Sequence, residues 1–200
     1  MLESVSMKTP LPPPVFTAAQ VQAAVERIAF EIVSWLDGFS VPKLNLLCVL
    51  EGARPLSLDL SRNLKSLKPD LRIKEHFIRV QATDGHQLME TRQFSADDLD
   101  WDALDQGPVL IVDDLLDSGK TLQTIREKIA QKSGADLKTA VLIRKHAQKS
   151  SSVDFCGLEL NLRREQLTAK GLKDYWLYGY GMDLDGKHRE LDYVAGVEVR

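Results

Sequence analysis

The chain has 200 residues, 44% of them hydrophobic and 28% charged, which is ordinary globular usage and argues against wholesale disorder. At about 150 residues per domain, a single domain over 1–200 is expected. Twenty-six basic against 29 acidic residues leave a net charge of −3, without the positive field of a general nucleic-acid binder.

The longest apolar run, Leu46–Leu50, falls far short of the roughly 20 residues of a membrane helix, and the N-terminus lacks a signal-peptide pattern. Cys48 and Cys156 are the only cysteines and have no paired spacing, so a reduced, cytoplasmic setting is expected. Pro10 and Pro12–Pro14 suggest a flexible lead-in over 1–16. Thr17 and Gln20 then resemble a capping box, followed by Val21, Val25, Ile28, Ile32 and Trp35 at helical spacing, with Gly38 as the stop. Asn45–Leu50 reads as a buried strand and Gly52–Pro55 as a turn. Leu56, Leu60, Leu64 and Leu67 form one stripe of a second helix ended by Pro69. Residues 71–80 read as another strand, and Gln81–Gln106 as a polar stretch with no sustained period.

Val109–Val112 reads as a strand, Thr121–Lys132 as a helix ended by Gly134, and Ala140–Ile143 as a further buried strand. This rhythm predicts an α/β fold, a mostly parallel sheet flanked by helices. The last 50 residues read as strands and loops outside that core, forming a small C-terminal hood, mainly 154–200.

The chemistry concentrates in Val109-Leu-Ile-Val-Asp113-Asp114-Leu-Leu-Asp117-Ser118-Gly119-Lys120-Thr121. An apolar strand runs into two carboxylates, then a short turn opening a helix. Ligands of parallel sheets bind at the carboxyl ends of strands. A Ser-Gly-x-Thr turn presents backbone N–H groups and hydroxyls suited to phosphate. The carboxylates suit sugar hydroxyls, or Mg²⁺ bridging to the ligand. Together these parts specify a phosphorylated sugar. The alternative is a strand end with solvated acids and a capped helix. Gly119-Lys120-Thr121 also matches the tail of a P-loop, but that motif needs glycine where Asp114 stands, so a nucleoside-triphosphatase is disfavoured. His76, His86, His146 and His188 show no zinc spacing. Trp35 and Trp101 read as packing residues.

Val109–Thr121 closely resembles the 5-phosphoribosyl-1-pyrophosphate (PRPP) signature of the type I phosphoribosyltransferases. Trp176-Leu-Tyr-Gly-Tyr-Gly-Met-Asp183, with Arg189 six residues on, resembles the purine-binding hood of the hypoxanthine-guanine branch. The resemblance spans roughly 40–199. It implies that Asp113 and Asp114 lie near the ribose hydroxyls and a metal's water shell. It implies also that Asp117, Ser118, Gly119, Lys120 and Thr121 hold the 5-phosphate, and that Asp117 is the base for the proton on purine N7. Lys145 would donate to the oxygen at purine C6, favouring oxo over amino purines; Arg144 is the neighbour that a one-residue register error would exchange for it. Trp176 would stack on the base and Leu177 would offer main-chain groups to its edge. Asp183 would bind a second Mg²⁺, and Arg189 would contact pyrophosphate.

Three features depart from the family pattern. Glu51 stands in the pyrophosphate loop Leu50-Glu51-Gly52-Ala53-Arg54, where the family often has a basic residue. Its side chain would repel pyrophosphate if it faced the site, so the loop's backbone N–H groups, Gly52 included, with Arg54 as helper, are expected to bind instead. Ala82-Thr83 replaces the Ser-Tyr pair common in the family's closing loop. Asn161–Lys173 looks like an insertion with no assigned role.

The resemblance implies a Mg²⁺-dependent salvage enzyme converting PRPP and hypoxanthine or guanine to nucleotide, working as a homodimer or homotetramer. The alternatives are a PRPP-binding regulator of the same fold, or an enzyme for another base such as xanthine or a pyrimidine. A nucleic-acid-binding variant of the regulator would need a basic face, for which Arg163-Arg164 and Lys170–Lys173 are the only candidates.

Overall fold

The computed structural model describes residues 13–40, 42–83, 91–94, 99, 101–104, 107–145, 153–160, 169–172 and 174–199. Helix α1 spans Ala18–Leu36, and its capping box is formed: the Gln20 N–H donates to Thr17 Oγ1 while the Gln20 side chain accepts from the Thr17 N–H. Strand β1 (Lys43–Leu50) leads into α2 (Arg54–Leu67), with Pro55 in the first turn where its missing N–H costs nothing. Strand β2 (Arg72–Thr83), β3 (Thr91–Phe94) and the short α3 (Trp101–Leu104) follow. Next come β4 (Val109–Leu116), α4 (Lys120–Lys132), β5 (Leu137–Arg144) and β6 (Phe155–Glu159). Strands β7 (Asp174–Tyr178) and β8 (Ala195–Val199) close the chain.

Six strands form one sheet in the order β3-β2-β1-β4-β5-β6, all parallel except β3. The apolar faces of α1 and α2 cover one side. There Val25, Ile28, Ile32, Leu56, Leu60 and Leu64 pack on Leu46, Leu110 and Leu142. Leu122, Ile125 and Ile129 of α4, with Leu104 of α3, cover Leu47, Ile111 and Val141 on the other. With helices on both faces, the central strands are apolar on both sides rather than alternating.

Three expectations change. Residues 155–159 are not hood: β6 pairs in parallel with β5 from Ala140↔Phe155 to Arg144↔Glu159. Gly157 lets α1 lie close, since a Cβ there would meet Ile28 Cδ1 at 3.1 Å, and Arg27 donates to the Cys156 and Gly157 carbonyls. Secondly, β4 does not stop at Val112 but runs on to Leu116, because β5 keeps pairing with it as far as Leu116↔Arg144. Thirdly, β2 reaches Thr83, and β3 and α3 fall within the stretch read as lacking structure.

The hood is the antiparallel pair β7–β8, joined by the end of the lead-in, where the Val15 and Phe16 N–H groups donate to the Val194 carbonyl. Residues 1–12 and 161–168, and with them most of the lead-in and much of the Asn161–Lys173 segment, lie outside the described residues. So do His86, His146, Arg163 and Arg164.

Ile28 is fully buried at the junction of α1 and β6. Ile28→Ala is expected to cost about 2–5 kcal/mol, read as a lower urea midpoint with little change in slope.

Candidate active site

Strands β1 and β4 pair from Asn45↔Val109 only to Cys48↔Val112. Beyond that point β1 turns off into the Leu50–Ala53 loop while β4 continues beside β5, so a crevice opens between their carboxyl ends. The chain winds from β1 to β2 on one side and from β4 to β5 on the other, which makes this gap the topological switch point. A cavity of about 460 Å³ lies there, lined by Glu51, Gly52, Asp113, Asp114, Asp117, Ser118, Gly119, Thr121, Lys145, Trp176, Leu177, Asp183 and Arg189, with Val80 and Met182. These are most of the residues singled out in the sequence. Lys120 begins α4 but does not line the cavity. Arg54 faces a neighbouring cavity on the far side of the loop, with Arg62 and Arg79.

Each wall has a local cause. Gly119, at φ 75°, is the N-cap of α4; it has no side chain to cap the helix, and no acid occupies the first turn. The amides opening the helix therefore form an anion-receptive end. In the Leu50–Ala53 turn, Ala53 N–H donates to the Val49 carbonyl and Arg54 N–H to that of Glu51, bonds that do not engage the Gly52 amide. The Leu50–Glu51 peptide is cis. A Cβ at Gly52 would overlap the Asp114 carboxylate, so any larger residue would displace that side chain. Glu51 Oε1 lies 3.0 Å from Arg79 Nη2, so its charge is shared with an arginine on β2. Ala82 and Thr83 fall at the end of β2.

On the hood, Trp176 is half exposed, and its Nε1 donates to the Asp183 carbonyl at 2.8 Å. The Asp183 carboxylate accepts from Arg189 Nη2 at 2.7 Å and from the Gly186 N–H at 2.8 Å, while Arg189 Nη1 donates to the Gly181 carbonyl at 2.6 Å. Tyr180, at φ 46°, donates to Asp59 on α2 at 2.6 Å, and burial with this carboxylate pushes its phenol upward. Lys145 is nearly inaccessible, its side chain 3% exposed. Its Nζ lies 2.7 Å from Asp174 Oδ1 and 3.6 Å from Asp117 Oδ2. Arg144 points instead towards Glu159 on β6, at 3.4 Å, and does not line the cavity. Asp174 escaped the sequence reading. Its signal was its place two residues before Trp176, on the same side of a strand.

Five carboxylates and two cationic side chains line the cavity. Asp113 is buried, and the Asp114 N–H donates to its Oδ1. Burial is the largest cause raising the Asp114 carboxyl; hydrogen bonds, from Asp113 foremost, and the Arg189 charge act the other way.

Residues 16–159 match the phosphoribosyl transferase domain. The chain belongs to the phosphoribosyltransferase family. It is 28% identical over 177 residues to the hypoxanthine-guanine phosphoribosyltransferases of Pan troglodytes and Homo sapiens, covering 85% of this chain and 73% of each of those proteins. Among solved structures, the Leishmania donovani hypoxanthine-guanine phosphoribosyltransferase superposes with a TM-score of 0.76 at 28% identity, over 92% of this chain and 99% of that one. The Trypanosoma cruzi hypoxanthine phosphoribosyltransferase gives the same fold, with a TM-score of 0.76 at 24% identity over 94% and 91% of the two chains.

Because the folded state holds the Asp114 proton more tightly than the unfolded chain does, stability from this group is complete at low pH. It falls as pH rises from about 3.9 through the raised folded value. Asp114→Asn is therefore expected to raise the melting temperature at pH 7.5. The gain should vanish near pH 4, as read by calorimetry at both pH values.

Proposed function

We propose that this chain transfers the 5-phosphoribosyl group of PRPP to a 6-oxopurine, hypoxanthine and/or guanine, releasing pyrophosphate and forming IMP or GMP in purine salvage. The observation that carries the reading is the convergence, on one crevice, of the anion-receptive turn Asp117–Thr121, the buried ammonium of Lys145 and the open face of Trp176.

In this reading the 5-phosphate sits on the first-turn amides of α4 with the hydroxyls of Ser118 and Thr121. Asp113 and Asp114 face the ribose hydroxyls. The diphosphate lies between the Gly52 amide and Arg189. The base enters under Trp176, with its 6-oxygen towards Lys145 and its edge along the Leu177 main chain. The C1′–O bond to pyrophosphate breaks as the purine nitrogen bonds to C1′. Asp117 takes the N7 proton, and the neighbouring carboxylates stabilise the positive charge that develops on the sugar. With its side chain paired to Arg79, Glu51 leaves the diphosphate to the loop backbone.

A lining of five carboxylates and two cations repels a polyanion unless the polyanion brings its own counter-charge. Among the described residues no group of three or more His, Cys, Asp or Glu could cage a metal. Both features fit Mg²⁺, which keeps its waters and is typically held by one or two carboxylates plus substrate phosphates. Asp113 and Asp114 would hold one ion through its water shell and Asp183 a second, and Mg²⁺ there would supply the charge that offsets the departing diphosphate. The working form is proposed to be a cytoplasmic homodimer or homotetramer. No helix among the described residues is long and apolar enough to cross a membrane.

Incubation with PRPP, Mg²⁺ and each of hypoxanthine, guanine, xanthine and uracil tests the reading. Nucleotide is expected from a 6-oxopurine and should be lost on chelation of the metal. PRPP binding with no turnover would instead identify a regulator of the same fold. Asp117→Asn should keep PRPP affinity and lower kcat by around 10²-fold or more, the range for a lost general base, measured by steady-state kinetics beside calorimetric titration of PRPP.

A further inference from the structure

We propose that Asp174 is the positioning residue that sets the Lys145 ammonium for the oxygen at C6 of the base, and so helps determine which purines the site accepts. This rests on the function proposed above. Lysine carries its charge on a flexible four-carbon stem with rotatable donors, so burial alone does not aim it. The stem leaves the chain just after β5, where the Lys145 N–H is fixed to the Leu116 carbonyl at 2.9 Å. Two carboxylates then compete for Nζ: Asp117 at 3.6 Å and Asp174 at 2.7 Å. With Asp117 alone, the ammonium would close onto the acid that must receive the N7 proton. Asp174 holds it off, leaving a third N–H for the ligand.

Asp174 is suited to this by its strand. It does not line the cavity, so it acts on the base only through Lys145. Its carboxylate is oriented by the Tyr175 N–H, which donates to Oδ1 at 2.7 Å. Asp174 and Trp176 stand two residues apart in β7, pinned by the pairs Asp174↔Val199 and Trp176↔Val197, and residues at that spacing share one face of a strand. One strand therefore carries both the ring that stacks on the purine and the anchor of the donor to its oxygen. The height of the donor relative to the ring plane is built into the backbone of β7.

The experiment titrates IMP, and purine ribonucleoside 5′-monophosphate with hydrogen in place of the 6-oxygen, into wild type, Asp174→Asn and Asp174→Glu. Asp174→Asn removes the charge while keeping a carbonyl acceptor for Tyr175. It should weaken IMP about tenfold, the scale of one hydrogen bond that is no longer aimed, and leave the analogue within about twofold by the same measure. Asp174→Glu should recover part of the IMP affinity. In a Lys145→Ala background, Asp174→Asn should have no further effect on either ligand. Equal losses for the two ligands, or an undiminished affinity for IMP, would overturn the positioning role. Wild-type protein that binds neither nucleotide would overturn the function on which it rests.

Discussion

The site depends on a single parting of strands. The parallel pairing of β1 and β4 ends at Cys48↔Val112, and everything chemical lies immediately past that point. Had the two strands stayed paired for two more residues, Asp113 and Asp114 would lie within a continuous sheet instead of at the edge of a crevice. β5 continues alongside β4 to Arg144, which keeps the acidic residues on an extended, rigid backbone rather than in a loose turn. That support delivers Lys145 to the same crevice, one residue after the last strand pair.

Electrostatics then sorts what can enter. The cavity is acid-rich and its cations are already engaged: Arg189 with Asp183, Lys145 with Asp174 and Asp117. Pre-paired charges limit the reorganisation needed when a charged ligand arrives, and low local dielectric strengthens each remaining interaction. The thiol of Cys48, pushed up to about 11 mainly by burial beneath this floor, stays protonated and inert.

The core was legible because its periodicities were strong: the stripes of α1, α2 and α4 and the apolar blocks of β1, β4 and β5 gave both faces of the sheet. Asp113–Thr121 was legible because strand, acid pair and glycine turn are contiguous. What escaped were features set by partners distant in sequence. The extension of β4 depends on β5, and the membership of β6 depends on Gly157 admitting α1; neither shows in local hydrophobicity. The orientation of Glu51 depends on Arg79, a strand away, and the anchoring of Lys145 depends on Asp174, which is 29 residues further on. Arg54 adjoins the loop in sequence, yet the first turn of α2 carries it to the other side.

Two close approaches at glycines occur in succession. Gly181, at φ 95°, sits so near the Gly52 carbonyl that a Cβ would collide with it, and Gly52 in turn abuts the Asp114 carboxylate. From the hood towards the acid pair the contact is thus backbone to backbone between Gly181 and Gly52, with the Asp114 side chain as the last link. The Asp114 side chain can turn to absorb a small displacement, whereas the Gly181–Gly52 approach has no side chain to do so. The hood and the loop after β1 therefore meet directly through their backbones at this joint.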